Sequence, residues 1–233
     1  KINLGDVSST PSAWSDSTLT GGKLNGVRVW LCEDSPQADA TSWARPWPLW
    51  LARQCGARRI LLTLGASPLT HATPPCLTEG FFLAEDHLML EGSTPLTSLS
   101  DSNLGPLFPD QGRVHDKPAH DALALRAKSL GIPCDKGVLA CIPGPALETP
   151  AEQRYHALAG AHASAQNVGA VYHAMAHSGL SGVTIAALLG EGDAKTEELV
   201  AAAQRLAPGL IELILCATEL LATNSRREAQ EQL

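Results

Sequence analysis

The stretch Gly144-Pro145-Ala146-Leu147-Glu148-Thr149-Pro150-Ala151-Glu152-Gln153-Arg154 decides how this chain is read. An apolar run, Val138 to Ile142, precedes it, and a helix follows that Thr149 can cap and Pro150 can open. A Gly-Pro turn cannot continue a strand, because proline lacks the N–H donor and fixes φ. The order is therefore strand, short rigid turn, helix, with Glu148 held near the carboxyl end of the strand. In α/β sheets the crevice beyond the strand carboxyl ends is where small ligands bind. A carboxylate so placed serves either a ligand or a cap and the surface, and this segment alone leaves both open.

Working outward, strands alternate with helices. Val27–Cys32, Ile60–Leu64, Phe81–Leu90, Gly137–Ile142 and Gly182–Leu189 read as strands. Helices are predicted near Trp47–Cys55, over Pro118–Leu130, from Pro150 to about Ala159, over Asn167–Ser178, and from near Asp193 to about Ala222. Ser98 to about Lys117 is rich in Ser, Gly, Pro and Asp and reads as a long loop. The polar end, residues 224–233, reads as a frayed tail. This alternation indicates an α/β fold around a largely buried sheet, and 233 residues suffice for one such domain, 1–233.

Composition narrows the partners. A formal charge of −7 without a basic cluster argues against nucleic acid. No unbroken apolar run approaches the roughly 20 residues that span a bilayer, so no membrane contact is expected. No signal peptide is read at the N-terminus. The six cysteines are scattered, four of them in apolar runs, which reads as buried reduced thiols and a cytoplasmic location.

The Gly144–Glu152 segment resembles the Gly-Pro-x-x-Glu-Thr-x-Ala-Glu signature of the trimeric purine nucleoside phosphorylases, relatives of methylthioadenosine phosphorylase. Other pieces follow in family order: Leu24-Asn25-Gly26, Leu61-Leu62-Thr63, Asp86-His87-Leu88-Met89-Leu90 with Gly92 and Pro95-Leu96, Gly160-Ala161, and His177-Ser178-Gly179-Leu180. The resemblance spans residues 22–205. It implies a three-layer α/β/α sandwich with a mixed central sheet, of the phosphorylase/hydrolase-like kind. It also implies a purine base or nucleoside as ligand, phosphate as co-substrate if the protein is active, no cofactor, and a homotrimer, alone or mixed with a paralogue.

Carried over residue by residue, the resemblance is uneven. Glu148 stands at the base-recognising carboxylate and Leu147 at the aromatic that stacks on the base. Gly65 and Ala66 keep the small residues of the turn after the third strand, as further base-binding candidates. Gln166 and Asn167 fall on the family's Met-Ser pair. The Arg-x-His-x-Tyr segment aligns on residues 35–39, so Ser35 and Gln37 replace the phosphate-binding Arg and His, and Asp39 replaces a sugar-binding Tyr. The late Thr-Asn falls on Leu189-Gly190 and the sugar-binding His near Thr196. The Gly-Ser-Gly phosphate loop finds no counterpart, and Arg28 or Arg45 are the candidate substitute cations. No catalytic residue is assigned.

Two functions of different class follow as expectations. One is a catalytically impaired phosphorylase-like protein that keeps purine or nucleoside binding. The alternative is an active purine nucleoside phosphorylase with a rearranged phosphate site, or a nucleoside hydrolase variant. His173 and His177, four apart on a helix, have a spacing that can grip a metal, but no third ligand is apparent and no metal site is expected. His87 after Asp86 reads as structural. His115-Asp116 and His120-Asp121, in or beside a polar loop, read as solvated. Trp43, Trp47 and Trp50 share one helical face and read as packing.

Overall fold

Glycine, proline and β-branched punctuation place most elements where the sequence predicts them. The structure, a computed structural model, describes residues 2–3, 10–33, 43–90, 92, 94–99, 104–106, 108–190 and 195–231. Ser35, Gln37 and Asp39 therefore lie outside the described residues. The chain forms two compact units.

The first unit comprises Lys1–Arg58, Ser93–Val114 and Ala170–Leu180. It holds an antiparallel three-stranded sheet of β1 (Ile2–Asn3), β2 (Thr18–Leu24) and β3 (Val27–Cys32). Next come α1 (Trp47–Gln54) and, later in the chain, α4 (Gly169–Ser178). Trp14 and Leu19 are buried against Cys32, Trp47 and Leu51. The Trp50 indole N–H donates to His177 Nδ1 at 3.0 Å. Trp50 is thus a packing residue, as expected; Trp14 is buried too, whereas Trp30 is half exposed.

The second unit carries the mixed sheet: β4 (Arg59–Pro68), β5 (Gly80–Met89), β6 (Cys134–Ile142), β7 (Ala163–Gln166) and β8 (Ser181–Leu188). β8 lies between β4, which is parallel to it, and β5, which is antiparallel. The β5–β6 and β6–β7 pairs are then parallel. A two-residue antiparallel ladder, Ser67↔Ser164 and Pro68↔Ala163, joins β7 back to β4 and closes the mixed sheet into a barrel. Helices cover it from two sides. Phe81, Leu83, Val183 and Ile185 pack with Leu123 and Ala127 of α2 (Lys117–Ser129) and Leu213 and Ala217 of α5 (Thr196–Glu231). Ala140 and Ile142 pack with Ala157 of α3 (Pro150–Leu158), Leu69 and Ala161. Each fully buried leucine or phenylalanine contributes about 1.5–3 kcal/mol relative to exposure, so these two clusters hold the sheet.

α5 runs to Glu231, beyond the predicted end at Ala222, and its Thr196–Asn224 stretch is long and apolar enough to cross a membrane by length and composition. A count of unbroken apolar runs missed it because Glu212 and Glu219 interrupt the sequence. Leu213, Ala217 and Leu221, spaced at one face, are buried against the barrel, while only 22% of the most apolar part of that stretch is buried. Of the cysteines only Cys141 is buried; Cys55 is exposed and the other four are half-buried. His120 is fully buried: its Nδ1–H donates to Asp116 O at 2.9 Å and its Nε2 accepts from Thr184 N at 3.4 Å. Burial pushes its pKa below the ordinary histidine value.

Candidate functional site around the Glu148 turn

β6 delivers the chain into the turn and α3 takes it out, so Glu148 sits at the carboxyl end of a barrel strand, as its sequence context predicts. Thr149 caps α3 in a reciprocal box. Its hydroxyl accepts from Glu152 N at 3.3 Å, and Glu152 Oε2 accepts from Thr149 N at 2.7 Å. Thr149→Ala is expected to lower stability by about 1 kcal/mol, read as a shift of the urea midpoint without a change in slope. An unmoved midpoint would show that the box does not hold the helix start.

The Glu148 carboxylate does not stand open. His156 Nδ1, on α3, donates to Oε1, and Ser164 Oγ, on β7, donates to Oε2. The carboxylate side chain is only 6% exposed and that of His156 10%. Hydrogen bonds to an ionised group contribute about 1.5–3 kcal/mol each, so this pair ties the turn firmly to α3 and β7.

Gln166 and Asn167 come to the same turn, and their polar groups also serve it. Gln166 Nε2 donates to Ala146 O at 3.0 Å, and Asn167 Oδ1 accepts from Gly144 N at 3.1 Å. Asn167 holds a left-handed φ of 59°, which asparagine tolerates better than most residues. The fit is close: a Cβ on Gly144 would lie 2.5 Å from Asn167 Nδ2 and 2.7 Å from Gln166 Oε1. Leu147 projects to solvent at 55% exposure. Gly65 and Ala66 lie on β4 just before Ser67, the register partner of Ser164. A Cβ on Gly65 would meet Leu189 Cδ1 at 2.8 Å, so this leucine lies against that glycine.

The structure thus brings Glu148, Gln166 and Asn167 to one turn, with Gly65 and Ala66 on the strand that pairs with β7. Sequence reasoning missed His156 and Ser164, the two residues that hold the carboxylate. The helical position of His156, eight residues beyond Glu148, was the available signal for the first; Ser164 lies on a strand that small residues conceal. Arg28 and Arg45 belong to the first unit. His173 and His177 also lie there. His177 accepts from Trp50, while His173 Nδ1 is buried without a hydrogen-bond partner. Burial lowers the pKa of both rings.

Residues 16–218 match the sequence model of the phosphorylase superfamily. Over 103 residues the chain is 34% identical to purine nucleoside phosphorylase 1 of Bacillus subtilis (strain 168), a match covering 42% of this chain and 38% of that protein. Over 107 residues it is 29% identical to purine nucleoside phosphorylase 1 of Geobacillus stearothermophilus, covering 46% of this chain and 38% of that protein. The match therefore spans well under half the length of these curated relatives. A Schistosoma purine nucleoside phosphorylase in complex with hypoxanthine superposes with a TM-score of 0.79 at 17% identity, covering 94% of this chain and 82% of that one. The Schistosoma mansoni enzyme in complex with adenosine gives 0.77 at 19% identity, covering 94% and 82%. At such identities the likeness establishes the fold, an α/β architecture around a mixed sheet. Because the family match takes in most of the sequence, the chain belongs to the phosphorylase superfamily.

Proposed function

We propose that the protein takes a purine base or nucleoside at the Glu148 turn and is severely impaired in phosphorolysis. The observation that carries this reading is the engagement of both Glu148 oxygens by His156 and Ser164. The family's enzymes use phosphate as co-substrate and no cofactor. Phosphorolysis needs donors that hold phosphate and donors aimed at the charge growing on the leaving base. Here Ser35 and Gln37 stand in place of a cationic pair, Leu189-Gly190 in place of the amide, and the Glu148, Gln166 and Asn167 side chains are spent on the turn itself. A purine binds when one of its N–H groups displaces Ser164 or His156 from the carboxylate. The same reading carries one phosphorylase-like domain over 1–233, working in the cytoplasm as a homotrimer, alone or mixed with a paralogue.

Competition for the carboxylate gives the test. Titrating hypoxanthine and guanosine into Ser164→Ala, which frees Oε2, is expected to give about 10-fold tighter binding than the unaltered protein, since a hydrogen bond to a charged group contributes about 1.5–3 kcal/mol. Glu148→Ala is expected to lose binding while keeping a cooperative melt. Affinities unchanged in both variants would remove Glu148 from purine recognition.

A further inference from the structure

A second cluster lies at the end of β5, outside the Glu148 turn. β5 carries a bulge: its register with β6 passes from Ala84↔Gly137 to Asp86↔Val138, leaving Glu85 extra. Asp86 and His87 follow directly. His115 comes from the segment before α2, fixed by its bridge pairing with Gly182 of β8 and by the Asp116 N–H donating to Gly182 O at 2.8 Å. His87 Nδ1 and His115 Nε2 lie 3.0 Å apart. With a carboxylate oxygen of Asp86, the three donor atoms all fall within 4.8 Å of one another. Among the described residues this is the one grouping of three histidine, cysteine or acidic ligand atoms so arranged.

The separations suit an ion. Ligands about 2.0–2.1 Å from a tetrahedral centre sit about 3.3 Å apart, close to the nitrogen–nitrogen distance already present. The carboxylate, whose Oδ1 accepts from His87 N at 2.8 Å, lies at the surface and closes the remaining gap by side-chain rotation. The rings are also oriented. His115 also hydrogen-bonds the Ala84 backbone. His115 is read from sequence as solvated; the fold instead draws it half-buried between β5 and β8.

We propose that Asp86, His87 and His115 form a binding site for a divalent transition metal of the zinc class, with the fourth position open to water. Two imidazoles and one carboxylate are a donor set such ions accept. The ion replaces the hydrogen bond between the two rings, and His87 takes its other neutral tautomer with the proton on Nε2, so no net proton is released from the pair. This site stands apart from purine binding, since none of the three residues touches the Glu148 turn in the hydrogen bonds described above.

The test is calorimetric titration of zinc chloride into untagged, chelator-dialysed protein, with cobalt(II) absorption as a second readout. One ion per chain is expected, with intense visible cobalt bands of a four-coordinate centre. His87→Ala and His115→Ala are each expected to weaken binding at least about 100-fold, since even the groups that merely orient metal ligands are worth about 10–100-fold. Asp86→Asn is expected to weaken it less, and His173→Ala to leave it unchanged. If His115→Ala fails to fold, His87→Ala and the cobalt spectrum of the unaltered protein decide the matter. No saturable zinc binding, or binding unaltered by His87→Ala, would overturn the proposal.

Discussion

Gly182→Ala is expected to abolish the cooperative unfolding transition of the barrel. A Cβ at this position would lie 1.8 Å from the carbonyl oxygen of Ile60 and 2.7 Å from its carbonyl carbon. Ile60 is the register partner of Gly182 in the parallel β4–β8 ladder, so the clash is with backbone that cannot rotate away. On its other side Gly182 pairs with His115 and accepts from Asp116 N. β8 is flanked by β4 and β5, and Gly182–Leu188 is buried throughout, so opening one ladder loosens the barrel. Losses above about 4–5 kcal/mol are exceptional for single substitutions, and this mechanism reaches them. Total stabilities of about 5–15 kcal/mol leave little to spare. A melt followed by circular dichroism checks it, with Gly22→Ala as control because open space surrounds that glycine. A melting temperature for Gly182→Ala equal to that of the unaltered protein would contradict the packing described here.

Most of the barrel was legible because its strands are apolar runs ended by glycine or proline. β5 and β8 match their predicted bounds to within a residue, as do α2 and α3. The missed strands share a cause. β2 contains Gly21 and Gly22, and β7 is Ala-Ser-Ala-Gln, small residues that carry no β-branched or aromatic signal. Without β7 the closure of the mixed sheet through Ser67↔Ser164 could not be foreseen, because a two-residue ladder has no sequence signature. The site was legible to the same depth. Glu148 was placed by strand, turn and cap chemistry, all local. The partners of its oxygens depend on how α3 and β7 pack, which is not local. His115 was misread for the same reason: a polar loop suggests solvent, and the fold presses the ring against β5 instead.

The second large effect concerns turnover. Loss of one preorganised donor to developing charge typically costs about 10²–10³ in rate. On the proposed function, Ser35 and Gln37 replace the phosphate-gripping pair and Leu189-Gly190 the late amide, while the Glu148 carboxylate is occupied by His156 and Ser164. Such losses are not additive, yet from ordinary turnover of about 10 s⁻¹ two of them reach about 10⁻³ s⁻¹ or less. The direct measurement is release of free base from inosine, guanosine and methylthioadenosine, with and without phosphate. The account predicts release no faster than about 10⁻³ s⁻¹ and indifferent to phosphate. Phosphate-dependent release at about 1 s⁻¹ or faster, lost in Glu148→Ala, would contradict it.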